Sequence, residues 1–249
     1  MCTVNDLFYK VMDTEGKTVA IEGYLGKPEE CEILFVLKEP NTGGYEKQSK
    51  EFWMQSVISD SPVPKSEQYL RTLGIIAAKL LEIMPEKEQI DEFYKNVLKH
   101  CAYINIYPFS GLGSEGKYYK KVKASLKRQD VRNLIHTGQC YLPKYEKTPC
   151  EESYFNAIAC NRLQIIKSFN CKYVVTVCGA FEAIIGKRTN ESGIGIIIEN
   201  KEFRVDKAFD KIFAAYYHPI FHKFHPKVLP EQMNVQRVIE YAEKHKHED

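Results

Sequence analysis

Residues 32–44 read Glu-Ile-Leu-Phe-Val-Leu-Lys-Glu-Pro-Asn-Thr-Gly-Gly. An unbroken apolar run from Ile33 to Leu37 stops at a polar loop containing Pro40, Gly43 and Gly44. Such a run, bounded by turn formers, suits a strand covered on both faces in the middle of a parallel sheet. Ligands of open α/β sheets bind just beyond the carboxyl ends of these strands. Lys38, Glu39 and Asn41 stand at that end.

Working outward, three further runs repeat the pattern. Residues 102–108 (AYINIYP) form one, interrupted by Asn105. Residues 173–178 (YVVTVC) precede Gly179, and residues 212–217 (IFAAYY) end at His218-Pro219. Helical spacing separates them. Behind Ser66, a plausible N-cap, Tyr69, Leu70, Leu73, Ile76, Ala77, Leu80, Leu81 and Met84 form one apolar stripe. Phe155, Ile158, Ala159, Leu163 and Ile166 mark a second helix over 151–169, and a last one covers about 230–245. Strands alternating with helices predict an α/β fold built on a central four-stranded, mainly parallel sheet with helices on both faces. Residues 1–31 read as a helix and an irregular lead-in, and 193–206 as a hairpin around Asn200-Lys201. No repeat, low-complexity segment or linker divides the chain, so 1–249 reads as one domain.

Composition narrows the function. The 249 residues are 44% hydrophobic and 27% charged, as in an ordinary globular protein. No apolar run approaches the roughly 18 residues of a membrane helix, so no membrane partner is expected. The first residues, MCTVNDLFYKVMDTEG, lack a basic region followed by an apolar core, so no secretory signal is expected and the location is read as cytoplasmic. Eight scattered cysteines with no CxxC pair then read as reduced thiols. A net charge of +2 gives no global attraction to nucleic acid, and a local patch would have to supply it. Residues 117–132 offer one: Lys117, Lys120, Lys121, Lys123, Lys127, Arg128 and Arg132, interleaved with Tyr118 and Tyr119. A solvated helix face is the commoner meaning of such a run, and a phosphate-contacting surface the sharper one.

Polar groups fall at the ends of, or inside, three core strands: Glu39-Pro40-Asn41, Asn105 and His218-Pro219. Parallel strands bring their carboxyl ends to one edge, so these groups converge on one cleft if the sheet forms. A buried Asn needs hydrogen-bond partners. Singly, each has a plain alternative as a core amide or a loop side chain.

Their order is more specific. Leu37-Lys38-Glu39-Pro40-Asn41, then Tyr103-Ile104-Asn105-Ile106-Tyr107, then the strand ending at Gly179, then Tyr217-His218-Pro219, resembles the motif order of the uracil-DNA glycosylase superfamily. The segments Pro149-Cys150-Glu151, Cys160 and Leu163-Gln164-Ile165 look like the helix that precedes the final motif in its thermostable bacterial branch. The resemblance implies a three-layer α/β/α sandwich and hydrolysis of the bond joining a base to deoxyribose, uracil first among the damaged or deaminated bases, in base-excision repair. The base leaves the stack before the bond is reached. By position, His218 would donate to the departing anionic base, as preorganised donors do elsewhere. Glu39 would stabilise the sugar cation and orient water. The Asn105 amide would pair with the base edge. Pro40 and Asn41 complete the base-binding loop, with Tyr45, Phe52 or Trp53 stacking on the base. DNA, double- or single-stranded, would contact Lys120, Lys121, Lys123, Ile220 and Phe221. The sequence departs from the family at Leu37, where the family has Gly, and at Ile220, where it has Ser. The N-terminal CxxC of the iron–sulfur branch is missing, so no cluster and no other cofactor is expected. His218, His222 and His225 have metal-like spacing, but no nearby Asp, Glu or Cys completes a set, and no metal is predicted. A monomer is expected. Two alternatives remain: a catalytically weak nucleic-acid- or nucleotide-binding member of the same fold, and a metal-dependent hydrolase using the His loop.

Overall fold

The structure is a computed structural model. It describes residues 3–12, 18–20, 22–24, 26–38, 73–74, 77–78, 80–81, 83, 96–109, 117–146, 148–177, 183–184, 205–208 and 211–216. The run at Ile33 forms strand β4 (Ile33–Leu37), every residue of it buried. It is flanked by β5 (Cys101–Asn105) on one side and β6 (Tyr173–Val177) on the other, both parallel to it. Strand β8 (Lys211–Tyr216) pairs parallel with β6. All four expected strands therefore lie in one sheet.

Among the described residues that sheet has six strands rather than four, and it is mixed. Strand β3 (Gly23–Tyr24) adds antiparallel to β5, and β7 (Val205–Ala208) adds antiparallel to β8, giving the order β3-β5-β4-β6-β8-β7. Among the described residues of 1–31 there is no α-helix. Two 3₁₀ turns, Val4–Leu7 and Pro28–Glu30, frame β3 and a separate hairpin of β1 (Lys10–Met12) with β2 (Thr18–Ala20). These strands have two or three residues, too few for an alternating pattern to show in sequence. Of the expected hairpin over 193–206, residues 193–204 lie outside the described residues; Val205 and Asp206 begin β7, which pairs antiparallel with β8.

Alternation along the central strands sorts their side chains onto two faces. Leu34, Val36, Ala102, Ile104 and Val174 share one continuous core with three helices: α1 (Lys117–Ser125), α2 (Gln129–Leu134) and α3 (Glu152–Ser168). The intervening Ile33, Phe35, Leu37, Tyr103, Tyr173 and Val175 are buried on the other face. There the Tyr103 hydroxyl donates to the Leu98 carbonyl at 3.4 Å, and the rings of Phe35 and Tyr103 stack with centroids 5.5 Å apart. Leu73, Ala77 and Leu80, from the predicted stripe, are helical and buried, as is Ala78. Burial on both faces explains why these strands read as continuous apolar runs.

The expected helix over 151–169 forms as α3 almost to the residue. Its last turn ends on a hydrogen bond from Lys211 Nζ to the Lys167 carbonyl (3.1 Å), a cation meeting the negative end of the helix. The single basic helix expected over 117–132 is broken into α1 and α2 by the turn at 126–128. Cys140 is disulfide-bonded, and its partner lies outside the described residues. This corrects the expectation of eight reduced thiols, because pairing depends on spatial approach that sequence separation does not report. Cys31, Cys101, Cys150, Cys160 and Cys171 are free, and all but Cys150 are buried. No helix among the described residues is long and apolar enough to cross a membrane.

Candidate functional site at the carboxyl edge of the sheet

Four parallel strands end together. In register, Leu37 stands beside Asn105, and Val177 stands beside Tyr216. The β4–β5 pairing continues one step further, with Ile106 N donating to Leu37 O (2.9 Å) and Tyr107 N to Lys38 O (3.1 Å). Asn105, beside Leu37, and Lys38, the next residue along, are thus both fixed at this edge. Among the predicted site residues, Glu39, Pro40, Asn41, Tyr45, Phe52, His218, Ile220 and Phe221 lie outside the described residues, as do His222 and His225. Among the described residues no group of three or more His, Cys, Asp or Glu could hold a metal ion.

Asn105 is 7% exposed. Its side-chain amide makes no hydrogen bond among the described residues, while both of its backbone groups are held by charged side chains. Its N–H donates to Glu22 Oε1 at 2.7 Å, and its carbonyl accepts from Arg162 Nη1 at 2.9 Å. The same Arg162 nitrogen donates to Glu22 Oε1 at 2.6 Å, so the three residues close a ring of hydrogen bonds. Glu22 and Arg162 are both fully buried as side chains. The rest of the guanidinium is satisfied by Asn161, whose Oδ1 accepts from Nε at 2.9 Å and also from Nη2. The guanidinium carbon Cζ lies 4.9 Å from the Tyr9 ring centroid, within cation–π range.

Local structure explains this arrangement. Strand β3 pairs with β5 through Gly23↔Tyr103 and Tyr24↔Ala102, so among the described residues no strand pairs with Asn105 on that side. Its backbone would be buried and unpaired, which is costly. The Glu22 carboxylate and the Arg162 guanidinium take the place of the missing strand. Gly23, next to Glu22, has φ of 139°, a region costly for residues with a side chain.

Sequence reasoning missed Glu22, Asn161 and Arg162. A signal existed in the second pair: Asn161-Arg162 interrupts the apolar stripe of α3, and a charged side chain among buried helix positions needs a partner. Both are fully buried. Asn161 Nδ2 donates to the carbonyls of Leu7 (3.0 Å) and Tyr141, and Gln164 Oε1 accepts from Tyr141 N at 3.3 Å. The polar residues of α3 therefore hold the N-terminal segment and the loop at Tyr141 against the helix.

Beside this clamp the aromatic residues following β5 build a rigid wall. Tyr107 packs on Tyr118 of α1 (5.4 Å between centroids), and Phe109 packs on Tyr9 (5.0 Å) and Tyr145 (5.1 Å). The hydroxyls of Tyr9, Tyr107 and Tyr154 are buried without hydrogen bonds of good geometry. Burial is the chief cause that pushes their ionisation upward, to about 12 for Tyr154. For Tyr9 the nearby Arg162 guanidinium opposes the rise, and Glu22 adds to it.

The basic segment is only partly a surface. Arg132 Nη2 donates to the carbonyls of Ala183 (2.8 Å) and Ile184, and Arg128 is paired with Asp130 (2.7 Å) and Glu152. Tyr118 and Tyr119 are buried in the core rather than interleaved on the outside. Of the proposed DNA contacts, Lys120 is exposed and Lys121 and Lys123 are half-buried. Lys121 lies over the Phe155 ring at 4.7 Å. Lys123 and Lys38 both lie over the Tyr119 ring, at 5.9 and 5.5 Å. Lys38, at the end of β4, thus joins α1 to the carboxyl edge.

No family model matches this chain, and no curated protein matches it.

Proposed function

We propose that the protein is a base-recognising hydrolase of the N-glycosidic bond, built as an α/β/α sandwich with its site at the carboxyl edge of the sheet. More particularly, we propose a DNA glycosylase of the uracil-excising type that works as a monomer in the cytoplasm. The observation that carries this reading is the register of the central strands. It sets Asn105 beside Leu37 at the edge where β4 leads toward Glu39 and β8 leads toward His218. Glu39 is two positions after Leu37, and His218 two positions after Tyr216.

In this reading the chemistry divides among three strands. The flipped base presents a donor and an acceptor, and the Asn105 amide offers the complementary pair. As the glycosidic bond lengthens, negative charge gathers on the base and positive charge on the sugar. His218 donates a hydrogen bond to the base oxygen. Glu39 faces the sugar cation and orients the attacking water. Lys38 and Lys123, both against Tyr119, and the exposed Lys120 supply positive charge for DNA phosphates beside the site.

The test is incubation with oligonucleotides carrying uracil, hypoxanthine or a mismatched base, followed by alkaline cleavage of abasic sites. Strand cleavage at uracil is the expected result. Binding without cleavage would assign the chain to the binding reading instead.

A further inference from the structure

We propose that the buried Glu22–Arg162 ion pair is the positioning device for base recognition, holding the Asn105 amide at the angle that pairs with the base; this rests on the glycosylase reading above. A strand beside Asn105 would supply one donor and one acceptor from a neutral backbone. The chain instead uses a carboxylate for the N–H (2.7 Å) and a guanidinium for the carbonyl (2.9 Å), with the two charges bonded to each other at 2.6 Å. Neutral amide side chains could satisfy both backbone groups without burying two charges, and buried ion pairs add little stability of their own, so satisfying the backbone does not by itself account for two charges here. What they add is direction. Arg162 is itself anchored through Asn161 and the Tyr9 ring, so the clamp transmits the rigidity of helix α3 to one residue of β5. That residue carries the one amide of the strand end, and its side chain is left without a hydrogen bond among the described residues. Misplacing a recognition group by about 1 Å costs roughly a hundredfold in rate. Glu22 and Arg162 touch no substrate in this scheme; they are positioning residues, acting through Asn105.

The experiment compares five proteins in single-turnover uracil release and in preference for uracil over thymine: wild type, the Glu22→Leu/Arg162→Met pair, the Glu22→Gln/Arg162→Met pair, Asn105→Ala, and Asn105→Ala combined with the Leu/Met pair. Urea midpoints are measured alongside. The Leu/Met pair removes both charges and both backbone bonds. The Gln/Met pair keeps a neutral acceptor and donor at position 22. The inference predicts that the Leu/Met pair loses about tenfold or more in rate, together with base preference, that the Gln/Met pair recovers most of both at an equal midpoint, and that adding the Leu/Met change to Asn105→Ala costs nothing more. Wild-type rate and preference in the Leu/Met pair would overturn the inference while leaving the glycosylase reading intact. So would losses that merely follow the urea midpoints across all variants. Absence of base release by the wild type would bring down the glycosylase reading and, with it, the inference.

Discussion

At the scale of single residues, the energetics of the molecule centre on charges and thiols that water does not reach. Removing one partner of a buried ion pair strands the other, which costs about 3–5 kcal/mol, while replacing both with apolar residues is near neutral or stabilising. Glu22→Leu alone should therefore destabilise the protein by about 3 kcal/mol or more, and the pair with Arg162→Met should recover the part that comes from the stranded charge, while the Asn105 N–H and carbonyl stay buried without these partners. Urea denaturation of the two proteins checks this, and equal midpoints would contradict it. The buried thiols make a second prediction. Burial, above all, pushes Cys31, Cys160 and Cys171 up to about 12. Unfolded, each loses its proton near about 8.5. Between those values the native state binds more protons, so stability is fully present below the unfolded value and falls as pH rises toward 12, by up to about 1.4 kcal/mol per pH unit for each thiol. The urea midpoint should drop between pH 8 and 10.5, and Cys160→Ala should shallow the drop. A midpoint that holds steady over that range would show that these thiols ionise as freely in the native state.

At the scale of elements, α1 carries two meanings that its sequence could not separate. Its buried side, Tyr118, Tyr119 and Val122, packs into the core, which is the plain amphipathic reading. Its lysines and Lys38 form the positive surface beside the carboxyl edge. If they contact phosphates, replacing Lys120, Lys121 and Lys123 with Gln should weaken DNA binding and flatten its salt dependence by about one unit of slope per lost contact. Fluorescence anisotropy at several salt concentrations measures this, and an unchanged slope would leave α1 a solvated helix. The helices and long strands were legible because their patterns extend over many residues. Helix α3 shows its 3.6-residue stripe for almost its whole length, and β4 shows an apolar run cut off by a Pro-Gly loop. Strand β3 was not legible, since two residues carry no period. The break between α1 and α2 was not legible either, because residues 126–128 contain neither Gly nor Pro to announce it.

At the scale of the whole molecule, one sheet relates distant parts of the chain. Residues 33–37, 101–105, 173–177 and 211–216 lie parallel, so strand ends far apart in sequence meet at one edge. That arrangement of strand ends could be read from sequence, because they are marked by abrupt changes in polarity. The support beneath it could not. Glu22 lies before β3, Arg162 in the middle of α3, and their meeting at Asn105 depends on where β3 stops pairing. No periodicity encodes such a contact; only the buried Asn161-Arg162 pair hints that a partner must exist.

The central claim is that this edge is where a base is released. Its most direct test is the single-turnover rate of uracil release from an oligonucleotide by wild type, His218→Ala, Asn105→Ala and Glu39→Gln. The account predicts measurable release by wild type. It predicts a loss of about 3 kcal/mol of transition-state stabilisation, roughly a hundredfold, for His218→Ala. Asn105→Ala should mainly lose base preference, because a polar base edge would face an unpaired pocket. Glu39→Gln should be slowed with its shape preserved. Release at equal rates by all four proteins would contradict the account.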